Sequence, residues 1–219
     1  MVESSIQNSN AVLKHSHFPQ HPGMYEIDIA DNQTYLTIDK QSVTSIVRRT
    51  LQTEQVSSAT ISVAIVDNAQ IHKLNRQYLS HDYETDVLSF LLEDSRDDDV
   101  NSESDALRGI GKTIDGEVIV SSEMAIDMAV EYSWNAMDEL TLYIVHGLLH
   151  LCGYDDLTAK ELAVMRAREC HVFEILGRPK PTRDSSDHGH GGEERHAGEE
   201  QHPAKENGKE VVAQPGGQP

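Results

Sequence analysis

The chain has 219 residues, with 37 acidic against 18 basic side chains, a formal net charge of −19 and 37% hydrophobic residues. That length accommodates one domain of about 150 residues with a real core plus appendages, and it leaves no room for a second full domain. The charge argues against indiscriminate binding to nucleic acid, which needs a basic surface to displace counterions. Two cysteines, Cys152 and Cys170, are too few for a disulfide framework or a thiolate zinc site, which points to a reducing, cytoplasmic setting.

The N-terminus, MVESSIQNSN, has neither a basic start nor an apolar run, and no later stretch approaches the roughly 20 apolar residues that span a bilayer, so neither export nor a membrane partner is expected. Residues 1–22 read as poorly ordered. MYEIDIA (24–30) and ATISVAIVD (59–67) are strand-like, and between them Val43, Ile46, Val47 and Leu51 stand at helical spacing. A short helix is expected from about Ala69 to Leu79, then strands DVLSFLL (86–92) and GEVIVS (116–121). Between the last two, Asp94, Asp97, Asp98, Asp99, Glu103 and Asp105 mark an acidic loop insert over 94–113, the composition of a solvated segment. Helices over 123–132 and 137–152 come next, the second too apolar on most faces to be anything but central. Thr158 to Glu161 form a capping box that opens a last helix running to about Leu176. Residues 178–219 carry almost no aliphatic side chains and read as a disordered polar tail. His188, His190, His196 and His202 in that tail offer loose metal contacts, but nothing fixes their spacing, and a polar tail that happens to hold histidine is the preferred reading. Strands mixed irregularly with helices predict a single α+β domain over 23–177, with a small mixed β-sheet packed against several helices.

The chemistry concentrates in HGLLHLCGYDD (146–156). Residues four apart share a helix face, so His146 and His150 can aim both imidazoles at one point. Gly153 stands where a left-handed glycine ends a helix, and Asp156 arrives just after the reversal. Two imidazoles and a carboxylate make three ligands for zinc and leave the fourth position open, the mark of a catalytic site. The competing reading is two core histidines satisfied by carbonyls, with Asp156 as a helix N-cap; Thr158 already holds the capping position, which weakens it. The spacing resembles that of metzincin-type zinc peptidases, HExxHxxGxx(H/D), except that Gly147 stands where their general-base glutamate is.

HGLLHLCGYDD is also similar to HGxLHLxGYDH of the YbeY family of rRNA maturation factors, single-strand-directed metallo-endoribonucleases. LNRQYLSHDYETDVLSF (74–90) resembles that family's LNxxYRxKDxPT(D/N)VLSF. GEVIVSSEMA (116–125) and DELTLYIVHG (138–147) resemble its GDIVIS segment and the lead into its metal helix, and Met165 and Glu169 fit the spacing on the last helix. Three ordered motifs over residues 24 to 177 make chance agreement improbable.

The resemblance implies one Zn²⁺ per chain held by His146, His150 and Asp156, the last standing for the family's third histidine. A carboxylate there leaves room for another divalent metal. Leu79 replaces a family arginine that would meet RNA phosphate; Arg76, three residues earlier on nearly the same face, is a candidate phosphate contact in its place, against the reading of a solvated surface charge. Glu117 replaces an aspartate. The acidic insert is either a gate that repels RNA or plain solvated loop, and Thr85, Asp86 and Ser89 are read as structural rather than substrate-binding.

The resemblance further implies a zinc endoribonuclease that matures the 3′ end of 16S rRNA and serves ribosome quality control, with rRNA and the small ribosomal subunit and its proteins as partners and no DNA substrate. Docking on a ribosomal particle would reconcile that with the charge of −19. The rivals are a non-catalytic ribosome assembly factor with a structural metal, favoured by Leu79, and a zinc peptidase, disfavoured by Gly147.

Overall fold

The structure, a computed structural model, is described for residues 24–96 and 107–181. The segments 1–22 and 182–219, expected to lack order, lie outside these residues, as do the four tail histidines and the middle of the acidic insert.

Four strands form one mixed sheet in the order β1 (Met24–Asp31), β2 (Ser58–Val66), β4 (Lys112–Ser121), β3 (Val87–Arg96). β1, β2 and β4 run parallel, and β3 is antiparallel to β4. Parallel neighbours need crossover connections. α1 (Lys40–Thr53) supplies the first, between β1 and β2; α2 (Asn68–Leu79) and β3 lie between β2 and β4. Three further helices complete the chain: α3 (Ser122–Glu131), α4 (Ala136–Cys152) and α5 (Ala159–Leu176). This is the expected α+β architecture.

The helix starts are set by local chemistry. Asp39, Asp67, Ser121, Asn135 and Thr158 cap α1 to α5 in turn, each accepting from a backbone N–H of the first turn. Ser121 is both the last residue of β4 and the cap of α3, so strand passes to helix without a loop.

The main core lies on one face of the sheet, where Ile61, Val63, Val118 and Val120 meet α1, α4 and α5 through Val47, Leu51, Leu148, Leu149, Met165 and Phe173. Ile119 and Leu88 point the other way and pack with Val66 of β2 and Ile71 of α2. α4 is buried on most of its surface, which its continuous apolar run requires.

The acidic stretch departs from the expected loop at both ends. β3 continues to Arg96 and β4 begins at Lys112, pairing Asp94 with Ile114, Ser95 with Thr113 and Arg96 with Lys112 beyond an irregularity between Leu91 and Glu93. Lys112 Nζ lies 3.3 Å from Asp94 Oδ2 and offsets its charge, while Ile114 is buried and anchors the ladder. Residues 94–96 and 112–113 are therefore strand, against the loop that composition predicted.

Gly147 sets how closely α4 approaches the sheet. A Cβ there would sit 2.7 Å from Val118 Cγ1 and 3.1 Å from Val87 Cγ2, so only a bare backbone fits. With that face pressed on β3 and β4, the neighbouring His146 stands at the edge of the core, where it is 21% exposed.

Candidate metal centre

α4 ends at Cys152 because Gly153 takes φ +99°, a left-handed cap that costs glycine no steric penalty. The chain then reverses. Asp155 Oδ1 accepts from the N–H of Asp156 at 2.7 Å and of Leu157 at 3.2 Å, and Thr158 Oγ1 caps α5 by accepting from Glu161 N at 3.2 Å. With those duties taken by its neighbours, the Asp156 carboxylate is left to face the histidines.

His146 Nε2 and His150 Nε2 are 2.9 Å apart. Asp156 Oδ2 lies 3.5 Å from the first and Oδ1 4.0 Å from the second, and one ligand atom from each of the three residues falls within 4.8 Å of the others. The opposite ring nitrogens are engaged elsewhere: His146 Nδ1 is 2.7 Å from Glu169 Oε1, and His150 Nδ1 is 3.0 Å from the Tyr154 carbonyl oxygen. Both partners are acceptors, so each ring presents its Nδ1–H to them and turns its Nε2 toward the common point. That arrangement orients imidazoles for a metal ion. His150 and Asp156 remain 27% and 35% exposed, which leaves one side of the cluster open.

The electrostatics match. Burial opposes charge on His146, but the hydrogen bond and charge of Glu169, with Asp86 and Asp156, carry its pKa up to about 9. For His150, burial and then the neighbouring His146 charge push the pKa down. Four carboxylates, Glu169, Asp86, Asp156 and Asp155, thus act on the pair of imidazoles, a field suited to a dication.

A second layer holds the turn. Glu54, fully buried at the end of α1, takes Arg168 Nε and Nη2 at 3.0 and 2.7 Å on one oxygen and the Tyr154 hydroxyl at 2.7 Å on the other. Arg108 donates to the Gly153 carbonyl at 2.9 Å, pairs with Glu161, lies 5.1 Å from the Tyr154 ring centre, and donates its backbone N–H to the Tyr154 hydroxyl at 3.2 Å. The residue whose carbonyl fixes His150 is thereby pinned from both sides.

The structure brings His146, His150 and Asp156 together. Arg76 sits on α2 with its side chain 64% exposed, Nη1 3.7 Å from Asp82 Oδ1, an oxygen also 2.9 Å from His72 Nε2. Thr85 and Asp86 serve the backbone, since Asp86 Oδ1 accepts from Val87 N and from Thr85 Oγ1 while the Asp86 carbonyl accepts from Ser121 N. Asp86 also acts on His146 through its charge. Sequence reasoning gave no role to Glu169, Glu54, Tyr154 or Arg108. Glu169 had a readable signal: it shares the spacing of Met165, Val172 and Phe173, so a glutamate stands on the buried face of α5.

The family model described as Endoribonuclease YbeY matches residues 28–177. The chain belongs to the YbeY family. Two relatives named endoribonuclease YbeY illustrate the depth of the match. The protein of Carboxydothermus hydrogenoformans is 37% identical over 135 residues, 62% of this chain and 84% of its own length. That of Geobacillus thermodenitrificans is 34% identical over 154 residues, 69% of this chain and 96% of its own. The solution structure of TM1509 from Thermotoga maritima is 22% identical with a TM-score of 0.44, covering 74% of this chain and 97% of that one. No helix among the described residues is long and apolar enough to cross a membrane.

Proposed function

We propose that this chain is a zinc-dependent endoribonuclease that cleaves single-stranded rRNA in maturation of the 16S 3′ end and in ribosome quality control, working in the cytoplasm on the small ribosomal subunit and its proteins. The observation that carries the reading is the convergence of two Nε2 atoms and one carboxylate while both Nδ1 atoms are held by acceptors. Membership of the YbeY family supports the choice of RNA as substrate.

His146, His150 and Asp156 would hold the ion, and two nitrogens with one oxygen suit zinc while admitting manganese or magnesium. A bound dication supplies Lewis acidity at a phosphoryl oxygen. Everything else falls to the chain and the substrate. Glu169 and the Tyr154 carbonyl keep the rings in register, and Arg76, swung from Asp82, reaches for phosphate in place of the arginine that Leu79 replaces. The nucleophile would be either a water or the RNA's own 2′-hydroxyl, its proton passing to solvent through the open side of the cluster, since no side chain among the described residues is assigned as a dedicated base. A peptidase would need a glutamate at position 147, where even a Cβ collides with Val118. Leu79 favours a second reading, an assembly factor that keeps the metal and has lost cleavage.

The test is metal content by elemental mass spectrometry on untagged protein and on Asp156→Ala, with single-stranded RNA cleavage assayed on both. Stoichiometric zinc and cleavage, both lost in the variant, support the proposal. Zinc without cleavage selects the assembly factor, and absence of metal from both proteins refutes the site.

A further inference from the structure

The loop joining α2 to β3 carries a feature that the metal centre does not use. Asn75, buried near the end of α2, ties this loop down from both sides: its carbonyl accepts from the N–H of Ser80 and His81, and its side-chain amide donates to the Tyr83 carbonyl at 3.0 Å. On the backbone so pinned, the rings of His81 and Tyr83 lie stacked, with centres 5.2 Å apart and planes 15° from parallel. The Tyr83 hydroxyl and His81 Nδ1 are 3.1 Å apart and lock the pair. Tyr83 is half-buried and acts as the support, while His81 is exposed.

The loop that carries the pair also runs directly into residues that reach the metal helix. Asp86, three residues beyond Tyr83 and so at most about 10 Å along the chain, is close enough for its charge to act on His146. Val87 packs beside Gly147 on the metal helix. Charge is the weaker thing this loop offers a strand of RNA, because Asp82 and Glu84 flank the ring residues in sequence, Arg76 beside it lies against Asp82, and the cations of the resembling pattern, arginine and lysine, are Leu79 and His81 here. A flat, pre-ordered aromatic face has a different use. Unpaired bases stack on such faces whatever their identity, and the contact needs no positive charge.

We infer that the His81–Tyr83 stack is a shelf for an unpaired nucleobase of the strand entering the metal centre, an inference that rests on the proposed ribonuclease function. His81 presents the stacking face and Tyr83 positions it.

The test is fluorescence anisotropy of the full-length, metal-loaded chain with a labelled single strand whose 2′ oxygens are methylated, beside a strand of equal length with abasic positions. His81→Ala weakens binding of the base-bearing strand about 5- to 150-fold, the range of one lost base stack. His81→Tyr restores it, Tyr83→Ala weakens it, and the abasic strand binds all of them alike. Both positions are on a loop, and an unchanged melting curve for each variant checks that the fold is intact. Unchanged affinity in His81→Ala overturns the shelf while leaving ribonuclease activity standing if the wild type still cleaves RNA. Equal losses on both strands also overturn it, since they mean a phosphate contact. A wild type that neither binds nor cleaves single-stranded RNA removes the ribonuclease reading and the shelf together.

Discussion

Gly147→Ala puts one methyl group into the seam between the metal helix and the sheet. Two effects oppose each other. Alanine in a helix interior is better than glycine by about 0.5–1 kcal/mol. Against that, the new Cβ stands 2.7 Å from Val118 Cγ1 and 3.1 Å from Val87 Cγ2. Val118 is fully buried on a central strand and β-branched, so it has no rotamer to retreat into. Overpacking of this kind costs about 1–3 kcal/mol, and the clash wins by about 1–2 kcal/mol. For a domain of this size that lowers the melting temperature by about 2–8 °C. Circular dichroism and the fluorescence of Trp134, the one tryptophan, would track the transition. A size swap sharpens the test. Val118→Ala alone removes two methyl groups and destabilises, but combined with Gly147→Ala the new methyl enters the vacated space. The cycle should show a favourable coupling of about 1 kcal/mol or more, within the range for residues in contact. A neutral or stabilising Gly147→Ala with no coupling would refute the seating of α4 on β4.

The remaining expectations concern the site and its frame. Glu169→Ala should weaken zinc binding about 10- to 100-fold, as loss of an orienting partner does, while Glu169→Gln, which keeps an acceptor for His146 Nδ1, should lose less; competition with a chromogenic chelator measures both. Asp156→His should raise the preference for zinc over manganese, read as the ratio of the two dissociation constants. Arg168→Met leaves the fully buried Glu54 carboxyl without its guanidinium and should cost about 3–5 kcal/mol in urea unfolding. Cys152 is fully buried, and burial pushes its thiol pKa up, so in native protein a thiol reagent should modify Cys170 first and reach Cys152 only on unfolding.

The features legible in the sequence were local. Val43, Ile46, Val47 and Leu51 have a period that only a helix buries on one side, and all four are buried. The three ligands lie within eleven residues, so helix geometry and one left-handed glycine suffice to bring them together. The second layer was not legible for the opposite reason. Tyr154 meets Glu54 across 100 positions and Arg168 meets it across 114, and no periodicity announces that a charged residue at the end of one helix will be enclosed by two others. The ends of the acidic stretch were misread because carboxylates are poor strand formers. Their pairing is decided by Lys112 beside Asp94 and the buried Ile114 behind them, which composition does not display.

The same contrast bears on how so acidic a chain would meet RNA. The negative charge is not confined to the remote surface, because Asp156, Glu169 and Asp86 all act on His146. At 4 Å, two unit charges interact by about 4 kcal/mol where the effective dielectric is near 20. Without a dication, these carboxylates repel a phosphodiester, and only the proton that they hold on His146 offsets them locally. With one, the local sign inverts, and the groups that repelled the substrate become what holds the ion that attracts it. On the proposed function, ion loading therefore strengthens RNA binding as well as enabling cleavage. Leucine at position 79 makes the dependence steeper than an arginine there would, because the side chain that could have drawn phosphate in without metal is apolar.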